Sequence, residues 1–213
     1  MAATDRATLS RELIADTALR IIDSDGLGGL SMRKLGSALG VEAMSLYHYI
    51  ENKSDLLDAV VDNLYGEIDL PTDVPDNDWE PAFRQGLRSF YDLLLKHPAA
   101  LELFTTRPSS SANALAVMGW AFDRCRMAGL NAREAAETFH FCVAWVLGHV
   151  ASELGMMARV DAGEPAVISN AAAVDPDFAA FLEYNTGSRS ELFEVGLDLL
   201  FSSLASSFGL SRQ

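Results

Sequence analysis

Six hydrogen-bonding side chains, Ser31, Arg33, Ser45, Tyr47, His48 and Lys53, fall in one stretch, SMRKLGSALGVEAMSLYHYIENK. They offer hydroxyl, guanidinium, imidazole and ammonium donors, the groups that hold phosphate oxygens and base edges. The chemistry they suit is recognition rather than bond-making. The chain has no nucleophile elbow, no HExxH pair, no paired-cysteine metal spacing and no complete phosphate loop, so enzymes of those classes lack their machinery here. The Gly26-Leu27-Gly28-Gly29 run completes neither glycine fingerprint and has no strand before it, so it reads as a helix-ending turn. No cofactor and no metal are expected.

Two short helices with a tight turn must position these groups. The first is expected from Ser31 to Leu39, with Ser31 capping its amides and Gly40 ending it in a left-handed conformation. The second is expected from about Glu42 to Tyr49. Leu35, Leu39, Val41 and Leu46 can face a common core, leaving Arg33, Lys34, Ser45, Tyr47 and His48 outside. That is the pattern of a helix-turn-helix, whose second helix enters the major groove of DNA. Before it, Ser10 starts a helix with Leu13, Ile14, Thr17, Ala18, Ile21 and Ile22 at helical spacing, closed by Asp25-Gly26. After it, Ser54 or Asn52 caps a helix from about Lys53 to Ile68.

The remainder also reads as helical. Pro71 and Pro75 make Leu70 to Asp78 a linker. Helices are expected at Trp79 to Lys96, Pro98 to about Phe104, Ser109 to Met127, Ala132 to about Ala158, Asp177 to Tyr184 and Ser190 to about Phe208. Arg159 to Pro176 reads as a loop, and Met1 to Leu9 as a loose arm. The fold class is therefore all-α: a three-helix N-terminal DNA-binding domain (1–52), a connecting helix (53–70) and a larger ligand-binding and dimerisation domain (71–213). The last helix carries apolar residues on more than one face, among them Leu192, Phe193, Val195, Leu197, Leu199 and Leu200. A surface helix needs one apolar stripe, so a homodimer through this helix and the one near Phe139 to Ser152 is expected.

Charge fits a local DNA contact. The net charge is -14, yet residues 1–57 carry six basic and eight acidic residues and 58–213 carry ten and twenty-two. The acid lies mostly away from the polar stretch. Arg33, Lys34, Lys53, and further out Arg6 and Arg11, are the available cations, a thin patch that predicts modest non-specific affinity. Cys125 and Cys142 sit in apolar surroundings and read as free thiols of a cytoplasmic protein. The most apolar run, Phe139 to Ala151, is too short to span a bilayer and includes His140 and His149, so no membrane partner is expected.

The run from Ser31 to Leu57 resembles the DNA-binding domain of the TetR family of bacterial transcription regulators. The matching residues are Ser31, Arg33-Lys34-Leu35, Leu39-Gly40-Val41, Ser45-Leu46-Tyr47, Asn52-Lys53 and Leu56-Leu57. The resemblance implies a ligand-responsive regulator, most simply a repressor released from a palindromic double-stranded operator by a small effector. It implies that Tyr47 contacts a phosphate and stacks on sugar or thymine methyl, that Ser45 and His48 reach bases or phosphates, and that Arg33 reads guanine. Ser31 and Lys53 would hold backbone, and Met44 would touch a thymine methyl or lie buried.

SFYDLLLKHP, TTRP and the Leu147-Gly148 helix further resemble the C-terminal domain of the tetracycline repressor. This places Thr106 and Arg107 near a ligand and Phe90 at a pocket aromatic. The repressor's metal ligands are not reproduced: Ile68-Asp69, Gly86, Leu103, Ala144 and Ser152 stand at comparable positions, with Glu153 beside one. A more apolar effector is expected, lined by Phe90, Leu94, Met118, Phe122, Phe139 and Val143, with Arg107 or His149 orienting it.

Overall fold

The computed structural model describes residues 9–73, 75, 79–107, 110–162, 175–178, 180 and 189–208. Among them every regular element is helical: α1 Arg11–Asp25, α2 Met32–Leu39, α3 Ala43–Leu46, α4 Lys53–Gly66, α5 Trp79–Lys96, α6 Leu101–Thr106, α7 Ala112–Met127, α8 Ala132–Asp161 and α9 Arg189–Phe208. Single 3-10 turns occupy Leu27–Gly29 and Pro98–Ala100. Most of the expected arm, with Arg6, lies outside the described residues. So do Pro108, most of the loop expected before Pro176 and the second half of the short helix expected from Asp177 to Tyr184.

Local signals explain most of the boundaries. Ser10, Ser31, Asn52 and Asn131 each accept a hydrogen bond from a first-turn amide. Asn131 and Glu134 form a reciprocal capping box. Gly26 and Gly40 end α1 and α2 at φ +72° and +67°, where a Cβ would be strained. Two expectations are corrected. The second reading helix stops at Leu46, and Tyr47, His48 and Tyr49 turn tightly through i→i+3 bonds of 3.3, 3.4 and 2.9 Å. Ile50, buried behind this turn, holds the chain as it leads into the Asn52 cap. The long helix does not stop near Ala158 but runs on to Asp161.

The chain divides into two compact units. One comprises residues 1–69 and 92–119, the other 70–91 and 120–213, so α5 and α7 each contribute to both. In the first, Ile14, Ile22, Leu35, Leu46, Leu56 and Leu64 are fully buried and make the core around which α1 to α4 assemble. In the second, Phe83, Cys142, Val146, Phe193, Leu197 and Phe201 are buried. There Tyr91, Phe193 and Trp145 stack at centroid distances of 4.0 and 5.0 Å.

Candidate nucleic-acid interface

The turn between α2 and α3 depends on Gly36. A Cβ there would lie 2.9 Å from the Val41 carbonyl oxygen and 3.1 Å from the Ala43 nitrogen, so the two helices approach at backbone distance. This crossing buries Leu35 and Leu46 completely, while Leu39 and Val41 are half-buried. The opposite side carries the polar set. Arg33, Tyr47 and His48 are exposed, Tyr47 by 45%, and Ser45 is half-buried. Among the described residues none of these four side chains has a hydrogen-bond or ion-pair partner. Met44 is 74% exposed, which settles the alternative of burial in favour of the surface.

The other cations of this region are engaged. Lys34 pairs with Asp25. Arg11 grips Asp55 through both carboxylate oxygens, at 2.5 and 3.0 Å, and donates to the Tyr49 carbonyl at 3.0 Å. Arg20 donates to Thr17 at 2.8 Å. Lys53 donates to the Leu30 carbonyl at 2.8 Å, so its ammonium is fixed beside the start of α2 with two protons unspent. Ser31 accepts from Lys34 N at 3.2 Å and keeps its own hydroxyl proton. Among the described residues up to 73, Arg33 is thus the one cation with no protein partner. The Arg11 hydrogen bonds hold the Asp55 carboxyl below its ordinary range against the opposing effect of burial. Lys34, then Ser24, do the same for Asp25.

α4 is tied on several sides within its own unit. Asn63 donates to Asp16 of α1 at 2.7 Å. Asn113 of α7 donates to Asp62 through its backbone N–H and its side-chain amide, both at 3.0 Å. Tyr65 meets Phe104 of α6 edge to face at 5.1 Å. Arg107, just past α6, donates to the Ser54 carbonyl at 2.9 Å and pairs with Asp58.

The residues expected around an effector fall in both units. Leu94, Thr106, Arg107 and Met118 belong to the first; Phe90, Phe122, Phe139, Val143 and His149 belong to the second. Phe90 and Leu94 are buried, Met118, Phe139, Val143 and His149 are half-buried, and Phe122 is exposed. Thr106 donates to the Glu102 carbonyl at 2.7 Å. His149 stands edge-on to Tyr91 and Phe193 at 5.9 and 5.4 Å. A small apolar pocket in the second unit has other walls: Trp79 and Phe83 from α5, Cys125 from α7, Thr138 from α8, and Phe201 and Leu204 from α9. Sequence reading missed it because aromatic residues at helical spacing look the same in a core and in a pocket wall.

At the positions comparable to the tetracycline repressor's metal ligands, Ile68 and Leu103 are buried apolar side chains. Among the described residues no group of three or more His, Cys, Asp or Glu could hold a metal ion. The donor set does not fit a drug–magnesium chelate. As formed, α8 is longer than the apolar run read from sequence and is long and apolar enough to cross a membrane by length and composition alone, but one such helix does not indicate a membrane protein.

An exposed helix-turn-helix with unpaired polar side chains, followed by a larger helical region, defines a DNA-binding regulator of transcription. Residues 14–60 match the tetR family of bacterial regulatory proteins and residues 70–207 the tetracyclin repressor-like C-terminal domain, so the chain belongs to the TetR family. It is 29% identical over 206 residues to an HTH-type transcriptional regulator of Saccharopolyspora erythraea, covering 95% of this chain and 87% of the relative. It is 28% identical over 201 residues to the class A tetracycline repressor protein from transposon 1721 of Escherichia coli, covering 92% and 91%. The TetR family protein ActR of Streptomyces coelicolor, solved in complex with actinorhodin, matches with a TM-score of 0.78 and 25% identity over 97% of this chain and 99% of that one. The family consists of dimeric transcriptional regulators.

Proposed function

We propose that this protein is a repressor that binds a palindromic operator as a homodimer and leaves it when a small, largely apolar effector binds in residues 71–213. The carrying observation is the set of exposed Arg33, Tyr47 and His48 with half-buried Ser45, whose side-chain polar atoms have no partner among the described residues. Unpaired donors on a helix-turn-helix are what base edges and phosphates satisfy. Arg33 reads a guanine, Met44 meets a thymine methyl, and Ser31 and Lys53 hold backbone. Residues 1–52 act as the reading head and 53–70 as the connection. The protein works in the cytoplasm and is not an enzyme.

Release follows from α4. Its ties to Asn113 and Arg107 make it the element through which a change near α6 and α7 reaches the head. Effector binding favours a second arrangement of α4. A ligand shifts that equilibrium only by its difference in affinity for the two states. ActR, a relative solved in complex with actinorhodin, supports a small-molecule effector. The test is selection of bound duplexes from a random library with wild type and Tyr47→Ala. A palindromic site enriched by wild type and lost in the variant is expected; the same site enriched by both would remove Tyr47 from the interface.

A further inference from the structure

His97 is 7% exposed and lies between carboxylates supplied by two different helices. Its Nδ1 is 2.8 Å from Asp23 Oδ2, near the end of α1. Its Nε2 is buried with no hydrogen-bond partner and lies 3.7 Å from Oε2 of Glu67, the residue that closes α4. The same Glu67 oxygen accepts from Lys96 Nζ at 2.7 Å. All four residues belong to the first compact unit. The 3-10 turn Pro98–Ala100, which packs against α1, carries no titratable side chain. Glu102 on the first turn of α6 is exposed.

We propose that His97 is a proton-operated latch that fastens the end of α1 to the end of α4. An ionised Asp23 only accepts hydrogen bonds, so at 2.8 Å the imidazole places its N–H on Nδ1. In the neutral ring Nε2 is then a lone pair facing a carboxylate oxygen, and no bond can form. One proton from solvent converts Nε2 into a donor, and Glu67 becomes its acceptor after an approach of less than about 1 Å. Imidazole is the side chain whose charge changes between pH 5 and 8, whereas the Lys96 ammonium is exposed at the surface. With the latch closed, α1 and α4 are joined by a charge-assisted bridge through one ring. Displacement of α4 against the head is then opposed, so acid conditions make effector-driven release harder. This functional consequence rests on the release mechanism proposed above; the bridge itself does not.

The test uses the full-length protein. The His97 ring is followed by nuclear magnetic resonance through a pH titration in wild type and Glu67→Gln, a substitution at an exposed position that conserves shape. The titration midpoint is expected to move to lower pH in Glu67→Gln, because the amide lacks the negative charge that favours the protonated ring; an unchanged midpoint would overturn the latch. Urea midpoints of wild type, Glu67→Gln, His97→Gln and the double variant give a second readout. The two substitutions should be non-additive at pH 5.5 and additive at pH 8, and equal coupling at both pH values would also overturn it. Neither readout requires an operator or an effector, so failure of the latch is distinguishable from failure of the release mechanism.

Discussion

Arg107 donates to the backbone carbonyl of Ser54 at 2.9 Å and pairs with Asp58 one turn further along α4. The resemblance to the tetracycline repressor places this arginine beside a ligand. In the structure its guanidinium is a strut between the end of α6 and the first turns of α4. Its side chain is mostly covered while that of Asp58 is half exposed, so the pair should contribute about 0.5–1 kcal/mol, in the range of partly screened ion pairs. Arg107→Ala and Asp58→Asn should each lower the urea midpoint, and the double variant should fall little further than either alone. Additive losses would show that the strut does not form in solution.

Arg33 and Lys53 should separate cleanly on DNA. Arg33 has no protein partner among the described residues. Its replacement by alanine should cost about 1–3 kcal/mol on the selected duplex and far less on random DNA, since a bidentate base contact is specific. Lys53 is held beside α2 by the Leu30 carbonyl, so Lys53→Ala should weaken both duplexes alike. Asp25→Asn frees Lys34 from its intramolecular pair. Random-DNA affinity should rise, and the slope of log affinity against log salt should steepen by about 0.9, one more phosphate neutralised. Fluorescence anisotropy at several salt concentrations reads all three, and an unchanged slope in Asp25→Asn would mean that Lys34 does not reach DNA.

Acid should open the head through Asp55. Hydrogen bonding from Arg11 holds its folded pKa below the ordinary 3.8. A carboxyl with a depressed folded pKa contributes stability that is fully present above the unfolded value and is lost as pH falls through the folded one. The Arg11–Asp55 contribution should therefore be constant at neutral pH and disappear below about pH 4. Asp55→Asn should lower stability at pH 7 and flatten the fall below pH 4, followed by circular dichroism in urea at fixed pH. An Asp55→Asn curve that runs parallel to wild type through this window would remove Asp55 from the acid response.

The sequence carried the helices well because their signals are local. Ser10, Ser31, Asn52 and Asn131 cap where a short polar side chain precedes an apolar run, and Gly26 and Gly40 stop helices where only a left-handed backbone fits. The early end of α3 was not legible, since it depends on burying Ile50 beneath the turn. The exposed side of the head was legible from its composition. The pairing of its cations was not: Lys34 with Asp25 and Arg11 with Asp55 are 9 and 44 residues apart, and only the tertiary fold brings such groups together. The pocket between Trp79 and Phe201 was hidden for the same reason, being a gap between ends of helices distant in the chain.

α8 and α9 present the clearest need for a partner copy. Phe141 is 58% and Leu199 68% exposed, and Val195, Met157 and Val160 are exposed as well. Large apolar side chains at this density on two helices that pack together lose the transfer free energy of burial, roughly 25 cal/mol per Å² left in water. Cys142 and Val146 of the same helix are fully buried, so α8 already has one covered face and needs a second. Covering this surface with an identical copy would give two reading heads for two half-sites. Phe141→Arg and Leu199→Asp should each shift the protein from dimer to monomer at about 10 µM in analytical ultracentrifugation. Both variants should keep their helical circular dichroism, because these positions do not touch the core. Binding to a palindromic duplex should fall by about 10²–10⁴, the advantage that linking two binding events supplies. Binding to an isolated half-site should be unchanged. A dimer that persists in both variants would place the interface elsewhere on the chain.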